Sequence, residues 1–139
     1  MRLFKYCLIS LFVLFNFSVF AATKEEALQF LMENLTLNKL TCDYAEGKVV
    51  DGYDYYNSFN PRTVLIRKPN PQAGDGKFFN DEMRIGCISG RCIKHTNTKE
   101  NFLKAEATLY KPETVDAERI IKAFNFFIDA CGGSKKSAF

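Results

Sequence analysis

Apolar residues follow three different spacings along this chain, and each spacing predicts a different kind of element. From Leu8 to Phe20 they run almost without a break. Residues 23–36 and 112–131 place them at steps of three and four, the period of a helix with one buried face. Between Leu40 and Tyr110 short β-branched and aromatic runs alternate with turn formers, the pattern of strands. Thr23-Lys24-Glu25-Glu26 fits a capping box, and Ala27, Leu28, Leu31 and Leu35 then share a face, so a first helix is predicted to dissolve near Thr36-Leu37-Asn38. The last helix is predicted with Pro112 in its first turn and an apolar stripe of Ala117, Ile120, Ile121, Phe124, Phe127, Ile128 and Cys131, stopped by Gly132-Gly133.

Strand candidates between the helices are Leu40 to Tyr44, Lys48 to Val50, Tyr53 to Phe59 and Thr63 to Ile66, followed by Met83 to Cys87. The strongest alternation is Leu103, Ala105, Ala107 and Leu109 against Lys104, Glu106, Thr108 and Tyr110, which reads as one strand. Residues 69–76 form the longest loop. Helix, antiparallel strands, helix predicts an α+β fold, a curved antiparallel sheet flanked by an N-terminal and a long C-terminal helix. The expected organisation is a leader over residues 1–21, one domain over 22–133 and a flexible tail over 134–139.

The leader reading rests on Arg2 and Lys5 ahead of the apolar run, and on Val19-Phe20-Ala21 at its end, where small residues stand at the spacing of a signal-peptidase site. The seventeen residues from Tyr6 to Ala22 are short for a membrane span, and Asn16 and Ser18 interrupt them. Cleavage after Ala21 is expected, with no integral membrane span afterwards and a periplasmic or secreted location. Removing 21 of 139 residues leaves 118, and Arg2 and Lys5 take with them two of the three net positive charges. A near-neutral chain with no long Lys/Arg run has no electrostatic footprint for nucleic acid.

Of five cysteines, Cys7 lies in the leader and Cys42, Cys87, Cys92 and Cys131 remain. An even number in an exported chain reads as disulfides. Ser89-Gly90 is placed to close a two-residue hairpin with Cys87 opposite Cys92 at a non-hydrogen-bonded pair, where Cα atoms approach to about 4.5 Å. By elimination Cys42 pairs with Cys131. Zinc is the rival use of four thiolates, but the spacing lacks a matching second pair, so neither a metal nor a cofactor is expected.

The stretches Gly86-Cys87-Ile88-Ser89-Gly90-Arg91-Cys92-Ile93, Ala117 to Phe124 and Ile128-Asp129-Ala130-Cys131-Gly132-Gly133 resemble small secreted bacterial proteins of unknown function. The resemblance implies a sheet with a C-terminal helix of the pleckstrin-homology type. It covers the second half of the chain and carries over no functional residue.

Candidate chemistry is sparse. His95, the only histidine, reads as a surface residue on an edge strand. Gly74-Asp75-Gly76-Lys77 lacks the spacing of a phosphate loop. Asp51, Asp54, Asp75, Asp81 and Glu82 are loop carboxylates, and two of them flanking a sugar would make a small envelope hydrolase, the alternative to a binding protein. Arg62, Arg67 and Lys68 read as a solvated strand face. Tyr53, Tyr55 and Tyr56 offer large side chains with few rotamers to freeze, and Ser89, Gly90 and Arg91 form a tip stapled by its disulfide. The expected function is therefore binding rather than catalysis: an exported protein acting on a protein partner, in its most concrete form an inhibitor or immunity-type protein for a periplasmic or extracellular enzyme. A structural envelope component is the third class.

Overall fold

The computed structural model describes residues 22–49, 55–74, 80–97 and 99–135. The predicted leader lies outside them. Helix α1 (Lys24–Asn34) opens on the expected capping box: the Thr23 hydroxyl accepts from Glu26 N–H at 3.1 Å, and the Glu26 carboxylate accepts from Thr23 N–H at 2.9 Å. Strands β1 (Leu37–Leu40), β2 (Ala45–Val49), β3 (Tyr55–Phe59), β4 (Val64–Arg67), β5 (Glu82–Cys87), β6 (Ile93–Thr96), β7 (Asn101–Lys104) and β8 (Glu106–Tyr110) follow, and helix α2 (Ala117–Ala130) closes the order. The fold is α+β and antiparallel, with two disulfides.

The strands make two sheets, one of five strands ordered β1-β2-β3-β6-β7 and one of three ordered β4-β5-β8. Their inner faces meet in one core with both helices, which contribute Leu31, Ile120, Phe124 and Phe127. Val64 and Ile66 of β4 are inside while Leu65 points out; Met83 and Ile85 of β5 and Ala107 and Leu109 of β8 are inside. The sheets approach closely where β2 passes β8: a Cβ on Gly47 would stand 3.0 Å from Leu109 Cδ2 and 3.2 Å from the Thr36 carbonyl, so a larger residue would force these neighbours to shift by a few tenths of an ångström.

Four expectations change. Leu40 to Tyr44 is not a strand: Thr41 and Tyr44 close a turn, with Thr41 N–H donating to Tyr44 O at 2.7 Å and Tyr44 N–H to the Thr41 hydroxyl at 3.0 Å. The single strand expected from Leu103 to Leu109 is broken at Ala105, where the chain leaves the five-stranded sheet for the other; the two-residue period continues across the bend and hides it. Ser89-Gly90 does not close a two-stranded hairpin, because β5 and β6 belong to different sheets. The final helix starts at Ala117 rather than in the turn containing Pro112, since the Asp116 side chain accepts from Glu118 N–H and Val115 N–H closes a turn on the Pro112 carbonyl. It stops where expected, at Gly132 and Gly133, both in the left-handed region with φ of 94° and 85°.

Both expected disulfide pairings are present, Cys42–Cys131 and Cys87–Cys92. Cys42–Cys131 spans 89 residues and fastens the end of α2 to the β1–β2 turn. In the chain-entropy model a closure of that length is worth roughly 4 to 5 kcal/mol. Polar contacts reinforce the same place: Asp43 bonds Lys135 Nζ at 2.9 Å and lies 3.7 Å from Arg62, whose Nε donates to Gly133 O at 2.8 Å. The Lys135 bond, ahead of the nearby charges, holds the Asp43 carboxyl below its usual range. Lys135 N–H also donates to Arg62 O at 2.6 Å, so the predicted tail is tied down at its start; residues 136–139 lie outside the described residues.

The start of α2 is held by a buried lysine. Lys111 Nζ donates to the carbonyls of Asn80, Pro112 (3.3 Å) and Val115 (2.8 Å), tying the residues before β5 to the turn that leads into the helix. Replacing Lys111 by Met leaves those carbonyls without their ammonium. We expect Lys111→Met to cost about 2 to 4 kcal/mol, read as a lower urea midpoint at unchanged slope.

Candidate functional site

The described chain passes between the two sheets three times, and the last two crossings meet at one corner. It leaves the three-stranded sheet at Cys87 and enters the five-stranded one at Ile93, then returns through Ala105. The crossings are bonded to each other, Cys87 N–H to Ala105 O at 2.8 Å, and Ile88 N–H reaches Thr63 O at 2.9 Å. The Cys87–Cys92 disulfide, with Cα atoms 5.7 Å apart, closes the crossing loop on itself, and Cys92 N–H points at Cys87 Sγ. The loop's tip, Ser89-Gly90-Arg91, is exposed, and Gly90 takes a φ of 63° that favours glycine. Arg91 makes no ion pair among the described residues.

Two leucines flank this tip, both on outward faces. Leu65 of β4 is 60% exposed and lies across from Gly86, one residue before Cys87; Leu103 of β7 is 52% exposed and lies across from Lys94, two residues after Cys92. β7 is an edge strand, paired with β6 alone. A cation, a fixed turn and exposed apolar side chains on an open edge thus surround one covalent staple.

The tyrosines fall differently. Tyr53 lies outside the described residues. Tyr56 is on the outward face of β3, with Thr96 as its cross-strand partner, four residues beyond Cys92; at about 3.3 Å per residue that is ~13 Å from the staple. Tyr55 is on the opposite, inner face. Its ring centroid lies 5.6 Å from that of His95, which in turn lies 5.0 Å from that of Phe102.

His95 is not the surface residue expected. It is 8% exposed on β6, an interior strand, and its Nδ1 is 2.8 Å from Asn57 Oδ1 on β3, also buried. With the amide oxygen toward the ring, this bond requires the proton on Nδ1. Burial first, and the nearby Lys104 charge second, push the histidine below its ordinary pKa. A histidine and an asparagine on different strands carry no joint signal in one sequence. The sheet register, Asn57 opposite His95 opposite Phe102, is what brings them together.

The loop carboxylates fall largely beyond the described residues. Asp51, Asp54 and Asp75 lie outside the described residues, and the Asp81 backbone carbonyl accepts from Lys111 N–H. Among the described residues no group of three or more His, Cys, Asp or Glu is arranged to hold a metal ion. Arg62, Arg67 and Lys68 are separately engaged, with Asp43 (3.7 Å), Glu106 (3.6 Å) and Glu118 (2.7 Å). No protein-family model, curated protein or solved structure matches the chain.

A folded-state histidine held below its unfolded pKa of about 6.5 means that the unfolded chain binds the proton more tightly. Its stabilising effect is therefore complete above that value and declines as pH falls below it. Urea midpoints at pH 7.5 and pH 5.0 should differ more for the wild type than for His95→Gln, which keeps a donor toward Asn57 and does not titrate.

Proposed function

We propose that this chain is an exported binding protein whose partner is a protein, and that it works as an inhibitor or immunity-type module for a periplasmic or extracellular enzyme. The observation that carries the reading is the corner just described: an exposed Ser89-Gly90-Arg91 tip, closed by a disulfide and flanked by Leu65 and Leu103. A loop already fixed in one conformation loses little entropy on docking, and a cation among exposed apolar side chains is the composition of an interface centre. Tyr56, on the outward side of the five-stranded sheet, lies within the span of an interface of ordinary size.

Two disulfides favour an oxidising compartment, and no helix among the described residues is long and apolar enough to cross a membrane. The disulfides are what supports export. The proposal includes kinship with the small secreted bacterial proteins of pleckstrin-homology-like architecture, supported by two antiparallel sheets and a C-terminal helix.

Envelope and secreted fractions passed over immobilised protein test this reading. A partner retained by the wild type should bind roughly 30-fold more weakly, about 2 kcal/mol, to Arg91→Glu or Leu103→Asp, while Asn125→Ala on the exposed side of α2 binds normally. Equal retention by all three variants would remove the corner as the docking surface.

A further inference from the structure

The apolar stripe of α2 accounts for its buried side, yet Phe126 stands on the opposite side, 39% exposed, among residues the helical period makes polar. It forms one wall of a groove between α1 and α2. Phe30 of α1 forms the other wall, and the floor is made of two small residues, Ala27 and Ala123, which leave a slot of about 450 Å³. That volume is in the range of small-molecule sites.

The rim is cationic. Arg119 and Lys122 line the groove, one helical turn before Ala123 and Phe126 respectively. Arg119 is held over the Phe30 ring at 5.0 Å from its centroid, and among the described residues neither cation has a carboxylate partner. The one acid lining the groove, Glu26, accepts from the Thr23 N–H in the capping box and keeps its charge, so the lining carries two cations against one anion. An apolar groove with two cations at its lip, neither of them in an ion pair among the described residues, is complementary to a ligand with an apolar body and an anionic end.

Size decides what that ligand is. On α2 the groove runs from Arg119 to Phe126, about two turns or ~11 Å, which seats at most two or three side chains of a docked helix, so an amphipathic peptide helix gains little from it. A single extended alkyl chain can lie along an open groove lined by two rings. We infer that the α1–α2 groove binds a free long-chain carboxylic acid, its chain between Phe30 and Phe126 and its carboxylate at Arg119 and Lys122. This site is separate from the docking corner and does not depend on it.

The chain has no tryptophan, so Phe126→Trp supplies a lone emission reporter inside the groove. The probe is tetradecanoate, titrated below its micellar concentration into the full gene product as purified, with calorimetry on the wild type as the independent readout. The expected result is saturable one-to-one binding with a blue shift of the tryptophan. It weakens at least tenfold in Arg119→Glu/Lys122→Glu and is abolished by Ala123→Met, which fills the floor without changing charge. Both cations are exposed, and circular dichroism checks that the variants stay folded. Tetradecanol, which lacks the carboxylate, should bind at least tenfold more weakly, and Arg91→Glu should bind tetradecanoate like the wild type. No saturable heat with the wild type, equal affinity for the alcohol, or unchanged binding in both groove variants would overturn the inference. A stoichiometric diacyl phospholipid extracted from the purified protein would do the same for its ligand class.

Discussion

The hydrogen bond from Cys87 N–H to the Ala105 carbonyl joins two of the three places where the described chain passes from one sheet to the other, and the third, between β3 and β4, is tied to them through Ile88 N–H and the Thr63 carbonyl. Without it the crossings would be separate loops, each with its own freedom. With it, and with the Cys87–Cys92 bridge on one side, the two sheets share a corner of fixed shape. The constraint reaches inward as well as outward. It places β6 between β3 and β7, which sets His95 opposite Asn57 and Phe102, and it turns Leu65 and Leu103 outward on either side of the tip.

The opposite task, holding two helices against a small core, is done by different chemistry. A domain of this size buries a modest fraction of its surface, so covalent and polar fasteners matter more than in a large one. Cys42–Cys131 closes a loop of 89 residues and restricts the unfolded chain strongly; Cys87–Cys92 closes one of five, worth only about 2 kcal/mol in the same model. The long bridge is thus the larger contributor to global stability, and the short one acts chiefly where it sits. Lys111 and the Asp43, Arg62 and Lys135 group pin the start and the end of α2.

Features set by neighbours in the sequence were legible in it. The Thr23–Glu26 capping box, the stop at Gly132-Gly133 and the apolar stripe of α2 all depend on residues within about four positions of one another. Both disulfide pairings were legible too, although the hairpin invoked for Cys87–Cys92 was wrong: the bridge spans a crossing between sheets. What escaped is what depends on distant pairing. A period of two is the same whether a strand continues or bends, so Leu103 to Leu109 looked like one strand. A lone histidine looks exposed until the register puts an asparagine beside it. Leu65 and Leu103 sit in apolar strand patterns that do not say which side faces out, and their exposure became visible only with the sheet order.

The central claim is that the Cys87–Cys92 bridge keeps the corner in its docking shape within the folded protein, rather than only restricting the unfolded chain. Native-state amide hydrogen exchange in the Cys87→Ala/Cys92→Ala variant tests it most directly. The account predicts that the amides at positions 87 and 88, which bond Ala105 and Thr63, lose markedly more protection than the amides of Phe124 and Phe127 in α2. A uniform loss of protection along the chain, or none at the corner, would contradict it.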